Sequence, residues 1–486
     1  MEEMEEASNQ NPSATVTNRN LNDLPEELLL HILTCLPILE SVQTSLISQK
    51  WRPLWSRVPS LNFLFELFPP YEPPLDTRQF FAEFIDRVLI LRSNSPIHTF
   101  RLSFIYHGHY RSHVDSWVRS AITRLRTREL YLDFFIHKDF HNEETHNHRY
   151  DFPFSVLRNG CVAILGLTRC DLTLPAKMST LRFCSIGSMF LNEVYLTDQA
   201  MRDLISGCPN LEALDLENCL AHHHMKICST KLKRLALRYF YDSELKETIL
   251  VDCPNLCWIS FNCCAFDKFV LKNAWSLVEF HVDILHKIDR SYRYWNKVVR
   301  LLGQAPNVKH LNVQNWWFKF LTSKDSFPKS FMIHNLNHLE LRTGFTQYDL
   351  VGMAALLKLC PNLETMMLDY LFKIEEDETL SEEFSSKPVE LSMPTLKQVT
   401  VTSYTGTEDE INFMKILSTQ GVALEKIILV LGHVGAKSRL QMVLYRNASQ
   451  SWKCYAPDLS LTTLNHIDSE IFKQGINWLF ESCLVF

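Results

Sequence analysis

The stretch CPNLEALDLENC, Cys208 to Cys219, decides the fold of this 486-residue chain. Leu211, Leu214 and Leu216 occupy the first, fourth and sixth places of an L-x-x-L-x-L frame, and Cys219 stands at the ninth. The alternation of apolar and polar residues from Ala213 to Glu217 is the period-two pattern of a strand with one covered face. The opening phrase returns as Cys253-Pro254-Asn255-Leu256, Ala305-Pro306-Asn307-Val308 and Cys360-Pro361-Asn362-Leu363. With other apolar residues admitted at the Leu places, the same frame fits from Ile97, Thr127, Val162, Leu181, Leu211, Leu232, Leu256, Leu277, Val308, Leu336, Leu363, Leu396 and Leu424. Cys264 takes the ninth place of the Leu256 frame, as Cys219 does in its own.

A frame repeated in this way is the signature of leucine-rich repeats. No single strand and return segment buries its apolar face alone, whereas stacked neighbours share one continuous core beneath a parallel sheet. Successive starts lie from 19 residues apart (Val162 to Leu181) to 35 (Thr127 to Val162), which leaves room for a return helix or an insertion. Thr197 to Ser206 is predicted as one such helix, ended near Gly207 and halted by Pro209. The third, fifth and seventh places of each frame then line the concave surface. They include Ala213, Asp215 and Glu217; Arg234, Ala236 and Arg238; Trp258, Ser260 and Asn262; Glu279, His281 and Asp283; His310, Asn312 and Gln314; His338, Glu340 and Arg342; Thr365, Met367 and Asp369. This lining is polar and mixed in sign. Arg234, Arg238, Trp258, Asn262, His281, His310, His338 and Arg342 are the candidate contacts for a protein target, since Arg and Trp are enriched at binding hot spots. The competing reading pairs Asp215 and Glu217 with Arg234 and Arg238 on the next strand.

The segment Asn18 to Phe63, NRNLNDLPEELLLHILTCLPILESVQTSLISQKWRPLWSRVPSLNF, reads differently. Pro25 suits a first helical turn, Glu26 and Glu27 complement the helix dipole, and Asn22 or Asp23 is placed to cap. Leu28, Leu29, Ile32, Leu33 and Leu36 form one apolar face, and Pro37 stops it. A second short helix is predicted over Glu40–Ser48. Trp51, Leu54, Trp55 and Val58 fall at i, i+3, i+4 and i+7, which predicts a third with two tryptophans on one edge. About forty residues are too few to hide so much apolar surface, so part of it is expected to meet a partner. A three-helix subdomain packed on its own chain fits the periodicity as well.

Leu24-Pro25, Ile32-Leu33, Leu36-Pro37, Val42-Gln43-Thr44-Ser45, Ser48-Gln49-Lys50-Trp51-Arg52, Leu54-Trp55 and Val58-Pro59-Ser60-Leu61-Asn62-Phe63 stand in the order of a plant F-box, which the segment resembles. The resemblance implies docking on a Skp-type adaptor and, through it, on cullin and RING subunits. It makes Leu24, Pro25, Leu28, Ile32, Leu36, Pro37, Ser45, Ser48, Trp51 and Trp55 candidates for docking or for shaping the docking surface. Further on, Leu396-Lys397-Gln398-Val399, Tyr404-Thr405-Gly406-Thr407-Glu408 and Ala423-Leu424-Glu425-Lys426-Ile427 resemble the plant FBD segment. The whole is similar to plant F-box, leucine-rich repeat and FBD proteins.

The expected fold is α/β: a disordered leader over 1–17, an all-helical F-box over 18–63, a linker and helix over 64–95, and an irregular solenoid over 96–395 with its parallel sheet concave and its helices convex. An FBD-like segment over 396–430 continues it, and 431–486 is an extension of unassigned role. Within the linker, Pro69, Pro70, Pro73 and Pro74 stiffen a connector, and Thr77 to Leu91 resumes helical spacing. In the extension, Leu440, Val443 and Leu444, then Phe472, Ile476, Leu479 and Phe480, predict two amphipathic helices. The resemblance implies a non-catalytic substrate-recognition subunit of an SCF-type ubiquitin ligase, cytoplasmic or nuclear, that holds a protein target through its repeats. A small-molecule or hormone receptor of the same type is a second reading, although the alternating acids and bases here do not make the dense basic pocket an anionic ligand needs. An F-box scaffold outside any ligase is a third.

A net charge of -6 without a basic stripe argues against nucleic acid as partner, and no run of eighteen apolar residues predicts a membrane span. The acidic start, MEEMEEASNQ, lacks the basic and apolar regions of a secretory signal, so the fourteen cysteines are read as reduced thiols. His137, His141, His146 and His148 with Glu143 and Glu144 are the most metal-like cluster, but their polar setting reads as a solvated loop. His222-His223-His224 beside Cys219 and Cys228 suggests zinc, yet the repeat frame already accounts for Cys219. No glycine-rich phosphate loop, G-x-S-x-G elbow, helical HExxH or activated cysteine is present, and no cofactor or metal is expected.

Overall fold

The computed structural model describes residues 21–69, 76–135, 148–175, 178, 182–219, 225–240, 248–263, 269–283, 299–314, 331–370, 389–431, 441–446 and 452–455. They divide into two compact units. The first runs to Tyr150 and includes Asn159–Val162; the second is Asp151–Arg158 with everything described from Ala163 onward.

In the first unit α1 (Glu26–Thr34) and α2 (Ile38–Gln43) follow the two prolines, each of which occupies the N-cap position with extended ψ. Neither Asn22 nor Asp23 caps α1. The predicted third helix is a turn and a short 3-10 segment, Leu54–Arg57, because Pro53 has no N–H to give to an α-helical ladder. Its apolar residues Trp51, Leu54, Trp55 and Val58 nevertheless all turn inward. Leu29, Leu33, Trp51, Leu54 and Val58 form one buried cluster, against which Leu24, Leu30 and Leu36 pack. Val58-Pro59-Ser60-Leu61-Asn62-Phe63 also satisfies the repeat frame, and β1 (Ser60–Leu64) pairs in parallel with β2 (Thr99–Ser103), which pairs with β3 (Glu129–Asp133). The predicted helix at Thr77 forms as α3 (Thr77–Leu91), capped by Asp76 and burying Phe81, Ile85, Val88 and Leu89.

In the second unit parallel strands succeed one another at Ile164–Thr168, Ser188–Asn192, Ala213–Glu217, Arg234–Phe240, Trp258–Cys263, Glu279–Asp283, His310–Gln314, His338–Thr343, Thr365–Tyr370, Gln398–Tyr404 and Lys426–Leu431. Every strand sits where its frame places it except one. The Leu181 frame is out of register: the strand there uses Ile186, Met189 and Leu191, all buried.

Two devices tie neighbouring repeats together. Asn210, Asn255, Asn307, Asn335 and Asn362 each donate from Nδ2 to a carbonyl of the preceding repeat, at Cys184, Thr230, Trp275, Pro306 and His334, over 2.7 to 2.9 Å. The Asn of the recurring phrase is therefore a rung between turns. At the strand ends, Arg169, Glu193 and Asn218 adopt positive φ and donate their amides to the next strand, at Asn192, Glu217 and Arg238. Left-handed backbone at non-glycine residues is uncommon, and at these three it continues the ladder past the strand.

The return segments are of two kinds. Helices cover Asp198–Gly207, Gln347–Lys358 and Glu408–Gln420. Met225–Cys228, Ile249–Asp252 and Phe269–Lys272 instead form a three-stranded parallel sheet, because their apolar alternation has period two. The FBD-like phrase has a local cause: Gly406 takes φ 79°, and Thr407 and Glu410 close a capping box around the start of the last helix. The helix predicted around Val443 is a strand, Gln441–Arg446, antiparallel to Lys426–Leu431, with Met442 and Leu444 inward. Residues 1–17, 70–74 and 472–480, on which the leader, the proline connector and the second C-terminal helix were expected, lie outside the described residues.

Candidate functional site

The first candidate surface is on the helical module. Its core closes internally, with Leu29 and Leu33 fully buried and Trp51, Leu54 and Val58 at 2% exposure. Trp51 Nε1 donates to Asn22 Oδ1 at 2.8 Å, Ser48 Oγ reaches the same oxygen at 3.1 Å, and Lys50 Nζ holds the carbonyls of Asn22 and Leu24. That use of Asn22 explains why it does not cap α1. The structure sorts the adaptor candidates. Trp51 and Trp55 are buried and shape the module from within; Leu24, Ile32, Leu36, Pro37, Ser45 and Ser48 are half-buried; Pro25 and Leu28 are exposed. Large apolar side chains remain outside: Leu28 at 50% exposure, Leu46 at 86% and Ile47 at 59%. Ile47 escaped the sequence reading because helical spacing marks faces, not which face the chain leaves uncovered.

The second surface is the polar side of the long sheet, where strand register assembles three rows of side chains. One row carries Ala213, Arg234, Trp258, Glu279, His310, His338 and Thr365 across seven strands. The next carries Phe190, Asp215, Ala236, Ser260, His281, Asn312, Glu340 and Met367. Arg238 and Asn262, and Arg342 further along, stand in the third. All eight target-binding candidates therefore lie on one side of the sheet, as the alternation requires.

Among the described residues Arg234 pairs with no acid; its guanidinium lies 4.3 Å from the centre of the Trp258 ring, and Trp258 in turn meets His281 at 5.2 Å. Arg238 takes both carboxylates, Asp215 at 3.0 Å and Glu217 at 3.4 Å. His310 and His338 rings lie 5.2 Å apart, and His338 contacts Thr365 at 2.6 Å and Glu340 at 3.5 Å. The hydrogen bond from His338, joined by one from Asn312, holds the Glu340 carboxyl below its usual range. Burial pushes His281 down and Asp215 up, the second helped by Glu217 against the pull of Arg238.

Metal chemistry finds no footing among the described residues, where no group of three or more His, Cys, Asp or Glu is arranged to hold an ion. His137, His141, His146 and His222–His224 lie outside them. Cys219 is buried and bonds the Leu191 carbonyl at 3.3 Å, in keeping with its repeat position, and Cys228 is exposed. No described helix is long and apolar enough to cross a membrane.

Comparison with known proteins gives the family. The F-box domain model matches residues 21–63, and the model described as "At1g61320/AtMIF1, LRR domain" matches residues 88–456, most of the chain. Among Arabidopsis thaliana relatives, the F-box/LRR-repeat protein At4g14096 is 27% identical over 72% of this chain and 73% of its own length. The putative F-box protein At3g58860 is 29% identical over 71% and 73%. The putative F-box/FBD/LRR-repeat protein At5g44950 is 25% identical over 90% of this chain and 98% of its own. A helical F-box followed by a repeat sheet, matched by both models and by relatives of the same composition, places the chain in the plant family of F-box, leucine-rich repeat and FBD proteins, whose general role is that of a non-catalytic substrate receptor.

Proposed function

We propose that the chain is the substrate-recognition subunit of an SCF-type ubiquitin ligase, binding a Skp-type adaptor through the F-box and a protein target through the polar side of the sheet. The observation that carries this reading is the apolar remainder on the module. Leu28, Leu46 and Ile47 stay exposed although the module has completed its own core, and exposed large apolar side chains grouped on forty residues mark an interaction site. The sheet supplies the second hold, with Arg234 and Trp258 stacked at the centre of its polar side. Catalysis is then positional: the target is held near a ubiquitin-charged enzyme that other subunits bring, and this chain contributes no reacting group.

The test is reconstitution. Purified full-length chain is mixed with a plant Skp-type adaptor, cullin and RING subunit, and co-elution on gel filtration is followed by ubiquitin transfer onto proteins captured from plant extract. A stoichiometric complex and chain-dependent ubiquitylation are expected. Absence of adaptor binding at high micromolar concentration overturns the proposal, and adaptor binding that excludes cullin reduces the chain to a scaffold.

A further inference from the structure

On the polar side of the sheet, two carboxylates among the described residues depend on the same base. Asp215 and Glu217 share the single guanidinium of Arg238. Arg234, on the same strand as Arg238, is committed to the Trp258 ring and does not join them. Glu193, at the left-handed corner after the preceding strand, has its own partner in Arg169 at 3.0 Å. Among the described residues, Asp215 and Glu217 thus have one guanidinium between them, two carboxylates to one base.

Beside that excess stands Phe190, which is 41% exposed although it lies in the middle of a strand. Its neighbours explain the exposure. Gly166 is its register partner on one side, Asp215 on the other, and Ser188 and Ala213 fill the adjacent row. None of the small residues covers the ring, so an apolar face and a carboxylate that shares its base with another adjoin on neighbouring strands, about 5 Å apart.

We propose that Phe190, Asp215 and Glu217 form a seat for a lysine or arginine side chain from a basic segment of the bound target. The methylene stem lies along the Phe190 ring and the cationic head gives the two carboxylates a second base beside the shared Arg238, a division of labour suited to long basic side chains. An acidic segment would add a third carboxylate to two that already compete for one guanidinium. This inference rests on the reading of the sheet as the target-binding surface and names the chemistry that surface selects.

The experiment uses the full chain and three fluorescein-labelled decapeptides, alternating alanine with lysine, with glutamate or with serine, read by fluorescence polarisation at near-physiological salt. The lysine peptide is expected to bind, and the other two are not. Phe190→Ala should weaken binding roughly tenfold and Glu217→Gln about threefold, in line with an aromatic anchor and a partly exposed ion pair. Glu364→Gln, an exposed carboxylate paired with Lys397 away from the seat, leaves it unchanged. Glu217 is itself a surface residue, so its variant keeps the test sound if Phe190→Ala misfolds. Binding of the glutamate peptide, no binding of the lysine peptide, or equal loss with Glu364→Gln overturns the seat. Adaptor affinity measured on the same preparations separates the two readings: a chain that binds adaptor but no basic peptide overturns the seat alone, and one that binds the peptide but no adaptor overturns the ligase role.

Discussion

Replacing Leu46 and Ile47 together by aspartate tests the docking surface where it is most exposed. Complete burial of a leucine or isoleucine side chain is worth about 2 kcal/mol. Since 86% of Leu46 and 59% of Ile47 are open to solvent, covering both with a partner contributes about 3 kcal/mol. At 1.4 kcal/mol per tenfold, that is a loss of roughly a hundredfold in adaptor affinity, before any cost of burying the new carboxylates. Folding should be nearly untouched, because neither side chain belongs to the buried cluster and surface changes shift stability by about 0.5 kcal/mol or less. Isothermal titration of a purified Skp-type adaptor gives the affinity, and urea unfolding of the same samples gives the stability. A double variant that binds within threefold of the parent would falsify the assignment of this surface. A variant that loses binding and several kcal/mol of stability together would show that the exposed positions were supporting the core.

Other outcomes follow from the same structure. Leu33→Ala, which hollows the module core at a fully buried position, should cost about 2–5 kcal/mol and abolish docking indirectly, visible as a lower urea midpoint. Asn255→Ala removes the rung to the Thr230 carbonyl at 2.7 Å and should lower stability by about 1 kcal/mol; a melting temperature equal to the parent's would show that the rungs carry no energy. His281 is held below its ordinary pKa chiefly by burial, so its contribution is complete above about pH 6.5 and is lost as pH falls from there through the folded-state value. Denaturant midpoints at pH 7.5 and 5.5 should differ less for His281→Gln than for the parent. Burial pushes the thiols of Cys208, Cys253 and Cys360 up to about 12, so iodoacetamide at pH 8 should label exposed Cys35 and Cys184 and spare these three, as peptide mass spectrometry can read.

The sequence by itself determined the repeat frame, the side of the sheet each frame residue faces, and the helical module before it. All three follow from local periodicity: a strand alternates every two residues, so once Leu214 and Leu216 are inward, Asp215 and Glu217 must be outward. The same logic failed at Leu181, where Leu181 and Ile186 offered rival starts and only pairing with the flanking strands chose between them. It failed again at Trp51 and Trp55, whose helical spacing said nothing of the turn that folds both inward. Tertiary structure alone decided which partners the outward residues take. Arg234 lies four residues from Arg238 on the same strand, yet one rests on an indole and the other bridges two acids, because cross-strand neighbours come from chain segments about twenty residues away and their register is fixed only when the sheet forms. The exposure of Phe190 beside Gly166 has the same origin: neither residue is unusual in sequence, and only their pairing leaves the ring open to a partner.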